Sequence, residues 1–489
     1  MKTIVSGTDM KKVDQHTIQE VGIPSLVLME RAAYSVFQVI KENEKKNESI
    51  MVVASVGNNG ADGLAIGRML FLDGYNICIY VLGNVEKASE EFQTQWKICK
   101  KLNVPFVKQM KNVDVIVDAV FGVGLSRDVS GEFAKVIEEI NQSKARVYAV
   151  DIPSGIDADN GTVRGVAVKA NATITFGSQK IGTVMYPGAD YCGKVMVADI
   201  GFPKNAYDAV EKKYYLEEND LRRIPKRPNY SNKGTFGKIL VIAGSRDIAG
   251  AAYLCAKAAF RCGAGMLRIL TAKENKEFLN RMLPEAMVNV YDTKLFDAQI
   301  VKSALHWSDV VVVGPGIDVG IIQEEILGMV LDSKLPTVVD ADGINLMAEN
   351  ERLKDKLHKE VILTPHLAEM SRFSKKSIPE ISNHLLETAK WATKEFGVAC
   401  VLKDARTVIS TEELVAVNLS GNNGMATAGS GDVLAGILAG LIGLGVPVRD
   451  AAVLAPYVHG LAGEIAAEKH GKSGMMAGDI IESMKYIFK

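Results

Sequence analysis

The sequence predicts two α/β domains in tandem, each built on a parallel sheet. Its 489 residues exceed what a single hydrophobic core usually serves. Short β-branched apolar runs alternate with helical patterns through both halves. Polar, Gly-rich turns recur where those runs end, the edge at which open parallel sheets hold their ligands. Composition is that of an ordinary globular protein, with 47% hydrophobic and 24% charged residues. A formal net charge of −1 offers no electrostatic reason to expect nucleic acid or an anionic membrane as partner. The 6 cysteines are scattered, without a Cys-x-x-Cys pair, which fits a reducing cytoplasm and argues against a zinc ribbon or disulfide scaffold. Met1–Ser6 lacks the apolar core of a signal peptide. The most apolar segment, Val433–Val448, is short for a membrane span and interrupted by glycine, so it reads as a buried helix.

In the first half, Thr8–Glu42 reads as helix. Leu26, Leu28, Met29, Ala32, Ala33 and Val36 recur at helical spacing, and Gly22 and Pro24 mark a break. Ile50–Val56 is a buried strand, followed by Gly57-Asn58-Asn59-Gly60-Ala61-Asp62-Gly63 and a helix from Leu64. Strand, Gly-rich turn and helix make the geometry of a nucleotide or phosphate site. The turn is not Gly-x-Gly-x-x-Gly, so a standard dinucleotide fingerprint fails. Its Asn and Asp oxygens suit a hard cation as well as a ligand, and an ordinary strand-to-helix turn accounts for the spacing equally well. Strands at Ile77–Leu82, Val113–Val120, Val147–Val150, Thr173–Phe176 and Val195–Val197 follow, with a helix at Glu90–Leu102. Asp118 and Asp151 stand at carboxyl ends of two of these strands. A single such Asp is commonly a helix cap; the pair, with the Asn58–Asp62 turn, converges on one crevice. Lys180 reads as a solvated side chain, with the same sheet edge as its alternative.

The charged, Pro-bearing stretch from Gly201 to Pro228 is a linker and sets the boundary near Tyr214, giving domains 1–213 and 214–489. Strands are expected at Lys238–Ala243, Val310–Gly314, Thr337–Asp340, Val361–Thr364 and Val398–Leu402, and a small-residue helix from about Gly250. Each strand delivers polar or glycine residues to the ligand edge. The stretch Asn422–Asp432 then runs small-residue into an apolar helix. Glycines before a helix start free N–H groups to face an anion, and the helix end adds positive potential. Asp432 could take a proton from an attacking hydroxyl there. A tight turn with Asp432 as N-cap is the plain alternative. His459, within an apolar helix, reads as packing.

Gly57–Gly63, Phe121-Gly122-Val123-Gly124-Leu125 and Asp151-Ile152-Pro153-Ser154-Gly155 resemble the NAD(P)H-hydrate epimerase domain. In the second half, Lys233-Gly234, Gly244-Ser245, Gly250-Ala251, Gly314-Pro315-Gly316, Asp340-Ala341-Asp342, Thr364-Pro365-His366, Gly429-Ser430-Gly431-Asp432, His459-Gly460 and Ala477-Gly478-Asp479 resemble the dehydratase partner of that epimerase, a ribokinase-like enzyme. The resemblance runs from about Thr8 to Ile481. It implies an N-terminal Rossmann-like α/β/α domain followed by a ribokinase-like α/β domain, repairing hydrated NADH and NADPH. The first would interconvert the R and S hydrates at C6; the second would dehydrate the S form with ADP or ATP and Mg2+. By the same resemblance Asn58, Asn59, Gly60, Ala61 and Asp62, with Gly122, Val123, Gly124, Leu125, Ser126, Arg127 and Asp128, hold the hydrated dinucleotide. Asn59, Asp118 and Ser154 contact a K+ ion, and Asp151 is the acid/base.

In the dehydratase, Ala251, Gly316 and His366 lie against the substrate. Lys403, Asp404, Ala405, Arg406 and Thr407 hold the nucleotide, together with Asn422, Asn423, Gly424, Met425, Ala426, Thr427, Ala428, Gly429, Ser430 and Gly431. Asp432 is the base. The chain departs from the family pattern at Ala61 and Asp404, where Gly is usual, at Asn232, where His is usual, and at Leu367-Ala368, where Pro-Gly is usual. A homo-oligomer in the cytoplasm is expected. Two rivals stay open on sequence: a small-molecule kinase with a regulatory first domain, and a non-catalytic dinucleotide sensor.

Overall fold

The computed structural model describes residues Met1–Phe488. The chain divides into two compact units, Lys2–Lys213 and Tyr214 onward, the second joined by Met1.

Among the described residues, the first unit carries a 7-stranded sheet. Its order is Phe106–Val107, Asn76–Leu82, Ser49–Ser55, Val115–Ala119, Arg146–Val150, Ala172–Phe176 and Lys194–Ala198, and every pairing is parallel. Alternate residues of one strand feed two cores. Ile50, Val52 and Ala54 pack under the helices Ser25–Asn43, Asn58–Leu72 and Glu90–Lys101. Met51 and Val53 pack on the other face against Val136, Ile137 and Ile140 of the helix Gly131–Gln142. The expected break at Gly22–Pro24 separates the helix Gly7–Gln19 from Ser25–Asn43. A short parallel pair, Lys2–Val5 with Gln179–Lys180, lay outside the sequence reading because each piece is too short to show a period.

Strand order reverses between Ser49–Ser55 and Val115–Ala119: the chain first builds outward to Phe106–Val107 and then returns to build the other way. Such a switch point opens a crevice, because the turns after the two neighbouring strands leave in opposite directions.

The second unit repeats this plan. Its parallel order runs Met287–Tyr291, Met266–Ala272, Lys238–Ile242, Val310–Val313, Thr337–Val339, Val361–Leu363 and Ala399–Leu402. An antiparallel ribbon, Val408–Ser410 and Val415–Val417, follows. Met266–Ala272, Met287–Tyr291 and the ribbon were not foreseen. The switch point falls between Lys238–Ile242 and Val310–Val313, where the Gly244 N–H meets the Pro315 carbonyl at 2.8 Å. The Gly/Ala-rich helix Ser430–Gly443 lies against Gly250–Arg261. A Cβ on Gly436 would stand 2.2 Å from the Cys255 carbonyl oxygen, and one on Gly440 2.4 Å from the Cys262 Cβ. Glycine there permits backbone contact; the segment is a buried helix. No helix among the described residues is long and apolar enough to cross a membrane.

Candidate active sites

At the first unit's switch point, the turn after Ser49–Ser55 leads directly into the helix Asn58–Leu72. The helix start sits so close over the strand end that a Cβ on Gly60 would fall 1.6 Å from the Ser55 carbonyl oxygen. Ala61 has helical backbone and is fully buried, so its extra methyl carries no φ penalty. The Ser55 hydroxyl donates to the Val120 carbonyl at 2.5 Å, fastening this turn to the loop after the next strand. That loop presents Gly122, Val123, Gly124, Leu125, Ser126 and Arg127 to a cavity of about 820 Å³. Asn58, Asn59, Asp62, Asp151 and Lys180 line the same cavity. Asp128 follows the lining stretch in sequence.

Asp118 is completely buried beneath the crevice. It accepts the Ser154 hydroxyl at 2.5 Å and the Ser154 N–H at 2.8 Å. Burial pushes its carboxyl up to about 6, against the hydrogen bonds from Ser154 and Val120. The Asn59 amide nitrogen is buried with no hydrogen-bond partner; its side chain lies 3.3 Å from the Cβ position of Gly122.

Asp151 has φ +68°, a left-handed conformation for a non-glycine residue. Its Oδ1 accepts from Thr175 Oγ1 at 3.1 Å, from the Phe176 N–H at 3.2 Å and from Lys180 Nζ. Lys180 is therefore not solvated: its side chain is 0% exposed and paired with Asp151. Asp14 and Glu91, which no sequence motif marked, also line the cavity. Burial raises Asp62 well above the ordinary carboxylate value, and Asp151, Asp14 and Glu91 add to it.

In the second unit the helix Ser430–Gly443 begins from Gly429 at φ +85°. Asp432 stands in its first turn, and Gly429, not Asp432, is the N-cap. Helical bonding starts with the Val433 N–H to the Gly429 carbonyl at 3.1 Å, while the Ser430 N–H turns to Thr427 at 3.3 Å. The N–H groups of Gly431 and Asp432 thus stand at the positive end of the helix. The Cβ position of Gly431 is 3.4 Å from Lys403 Nζ and 3.8 Å from Asp340 Oδ2, so an ammonium adjoins the cradle.

Lys403 Nζ donates to Asp340 Oδ1 at 2.7 Å and lies 3.9 Å from Glu369 Oε2. Thr364 Oγ1 donates to the same Asp340 oxygen at 2.7 Å. Burial pushes Asp432 up to about 7; Asp340 adds to the rise and Lys403 opposes it. His459 is buried, with Nε2 3.3 Å from the Ser430 hydroxyl. Burial and the Lys403 charge pull its imidazole down to about 4, so it is neutral at physiological pH. Its packing role is accompanied by this contact with the cradle.

A family model described as NAD(P)H-hydrate dehydratase matches residues 239–485, and one described as YjeF-related protein N-terminus matches residues 25–182. A bifunctional NAD(P)H-hydrate repair enzyme of Thermofilum pendens is 35% identical over 99% of this chain and 95% of its own. An NAD(P)H-hydrate epimerase of Oenococcus oeni is 47% identical over 41% of this chain and 98% of its own. A ribokinase-like superfamily protein from Enterococcus faecalis superposes with a TM-score of 0.51 at 28% identity, covering 56% of this chain and 95% of that one. The chain belongs to the bifunctional NAD(P)H-hydrate repair enzymes.

The structure places the remaining sequence-predicted residues of the second unit as follows. Ala251 and Gly316 meet at the second switch point, a Cβ on Gly316 falling 3.3 Å from that of Ala251. His366 caps the helix Leu367–Ser374: its Nδ1 accepts from the Ala368 N–H at 3.0 Å and the Glu369 N–H at 3.3 Å, and its Nε2 lies 3.1 Å from Glu369 Oε1. The side chain is nonetheless half exposed. Asp404 and Ala405 are exposed at the turn between Ala399–Leu402 and the antiparallel ribbon; Arg406 and Thr407 are partly buried, and Arg406 donates to the Leu419 carbonyl at 3.2 Å. Asn422 opens the 3-10 turn Asn423–Met425 and caps it by accepting the Gly424 N–H at 2.9 Å. Ala426, Thr427 and Ala428 join that turn to Gly429. Asn232 caps its own turn through the Gly234 N–H at 2.8 Å, a task that Asn performs well.

Proposed function

We propose that residues 1–213 epimerise hydrated NADH and NADPH at C6 and that residues 214–489 dehydrate the S hydrate with ADP, releasing AMP and phosphate. The observation that carries the second half is the helix start at Gly429–Asp432, which presents backbone donors and one carboxylate at a single point. Hydroxide leaves the hydrated ring poorly, and a phosphate ester leaves well. Asp432 takes the proton of the C6 hydroxyl; the hydroxyl oxygen attacks the terminal phosphoryl group held by Asn422–Gly431 and Lys403–Thr407, and AMP leaves; the ring nitrogen lone pair then expels phosphate to give an iminium, and loss of a C5 proton restores the dihydronicotinamide. Ala251, Gly316 and His366 orient the ring. Catalysis here is mainly positioning and charge stabilisation.

Magnesium supplies neutralisation of the nucleotide phosphates. Potassium in the first unit would be held by Asn59, Asp118 and Ser154. The buried Asp118 carboxylate supports a cation there, whose charge would compensate it. Asn58–Asp62 and Gly122–Asp128 hold the dinucleotide, and Asp151 moves the proton at C6. The chain works as a cytoplasmic homo-oligomer in this reading, supported by its unpaired cysteines and by Leu26, Val27 and Tyr34, exposed on the helix Ser25–Asn43.

The test is incubation of a mixture of hydrated NADH epimers with ADP or ATP. Full recovery of nicotinamide absorbance with stoichiometric inorganic phosphate is expected. A stable phosphorylated product would make the second unit a kinase, and binding without turnover would make the chain a sensor.

A further inference from the structure

We propose that Lys180 is a positioning residue for epimerisation, holding the Asp151 carboxylate by one oxygen so that the other is presented to the cavity. This rests on the acid/base role given to Asp151 above. The ammonium cannot serve substrate directly, because its three N–H donors are engaged: by Asp151 Oδ1, by Thr175 Oγ1 at 2.9 Å and by the Phe176 carbonyl at 2.9 Å. The three hydrogen bonds to Asp151 all end on Oδ1, from Lys180, Thr175 and Phe176. Its Oδ2 takes none among the described residues, and Asp151 lines the cavity.

The backbone of Lys180 is pinned from outside the main sheet. Val5 pairs with Lys180, and Ile4 with Gln179, in the short parallel strand pair. Ile4 and Val5 are fully buried. The N-terminal strand therefore delivers one cation to one carboxylate.

Charges on every element around that carboxylate bear on it. Asp14 and Lys11 come from the helix Gly7–Gln19, Asp62 from Asn58–Leu72, Glu91 from Glu90–Lys101 and Arg127 from the loop after Val115–Ala119; all line the cavity. Asp14, Asp62 and Glu91 share the cavity with Asp151, and Lys180 is the cation in contact with it.

The experiment measures NADH recovery from the R hydrate with ADP, corrected for spontaneous epimerisation, across pH. Dehydration of the S hydrate and thermal melting serve as folding controls. In Lys180→Met, kcat for epimerisation at neutral pH is expected to fall about tenfold to a hundredfold with KM within about twofold. The double variant Lys180→Met/Asp151→Asn removes both charges together, so the site stays neutral inside. It is expected to turn over at the rate of Asp151→Asn alone, and it decides the matter should the single variant fold poorly. A wild-type rate in Lys180→Met overturns the proposal, as does a double variant slower than Asp151→Asn by the full single-variant factor. A wild-type rate in Asp151→Asn would remove the acid/base assignment itself, and this proposal with it.

Discussion

Asp151 directly follows a strand and Asp432 stands in the first turn of a helix, and their neighbours treat them oppositely. In the first unit the buried cation, Lys180, is bonded to the acid that faces the cavity. In the second unit the partly buried cation, Lys403, is bonded to a different carboxylate, Asp340, and burial and like charge outweigh its pull on Asp432. The same inventory of one lysine and several acids therefore yields a carboxylate held by a lysine in one site and a carboxyl raised to about 7 in the other. Proton transfer from a weakly acidic hydroxyl gains from a base near the working pH. A proton shuttle between two faces of C6 gains more from fixed geometry.

The largest expected effect is in the raised acid. Asp432→Asn should lower dehydration by about 10²–10⁴-fold while nucleotide binding, read by calorimetry, persists. Near-normal turnover would remove Asp432 from the mechanism. The corresponding change in the other site, Asp151→Ala, should leave dehydration of the S hydrate intact and halt consumption of a mixed-epimer substrate near its R fraction; complete consumption at the wild-type rate would erase the contrast between the two acids.

Titration sharpens the comparison. Asp432 must be ionised to accept a proton, and its folded value is raised to about 7. Dehydration kcat/KM should therefore climb between about pH 6 and pH 8, and a profile flat across that window would contradict the assignment. Asp340→Asn removes the neighbour that raises Asp432 and releases the Lys403 charge toward it, so the rising limb should move to lower pH by about one unit. A limb that moves to higher pH would show that Asp340 acts in some other way. The smallest effect belongs to the exposed turn: Asp404→Gly should change nucleotide affinity by less than about tenfold, measured as Kd at low salt, because solvent screens its charge.

Much of the fold was legible because buried parallel strands announce themselves as apolar β-branched runs, as at Ile50–Val56, and glycine announces close backbone approach, as at Gly60 and Gly429. Met266–Ala272 and Met287–Tyr291 were harder to read, since Arg268 and Asn289 interrupt their apolar pattern. Lys180 was misjudged for a different reason. A lysine after a strand is usually solvated, and nothing local to Gln179-Lys180 indicates that Thr175, Phe176 and Asp151 will surround it. Asp14 and Glu91 carry no motif and reach the first cavity only through helix packing.

By itself the sequence determined which residue types could do the chemistry and where the chain would turn: the glycine-framed loops, the acids at strand ends and the apolar helix that starts after Gly429. These depend on short-range backbone conformation, which neighbouring residues dictate. Tertiary structure alone decided which lysine meets which carboxylate. That pairing depends on strand order and on the N-terminal strand laid beside Gln179–Lys180, and the charge state of a buried acid follows from what distant segments bring within a few ångströms of it.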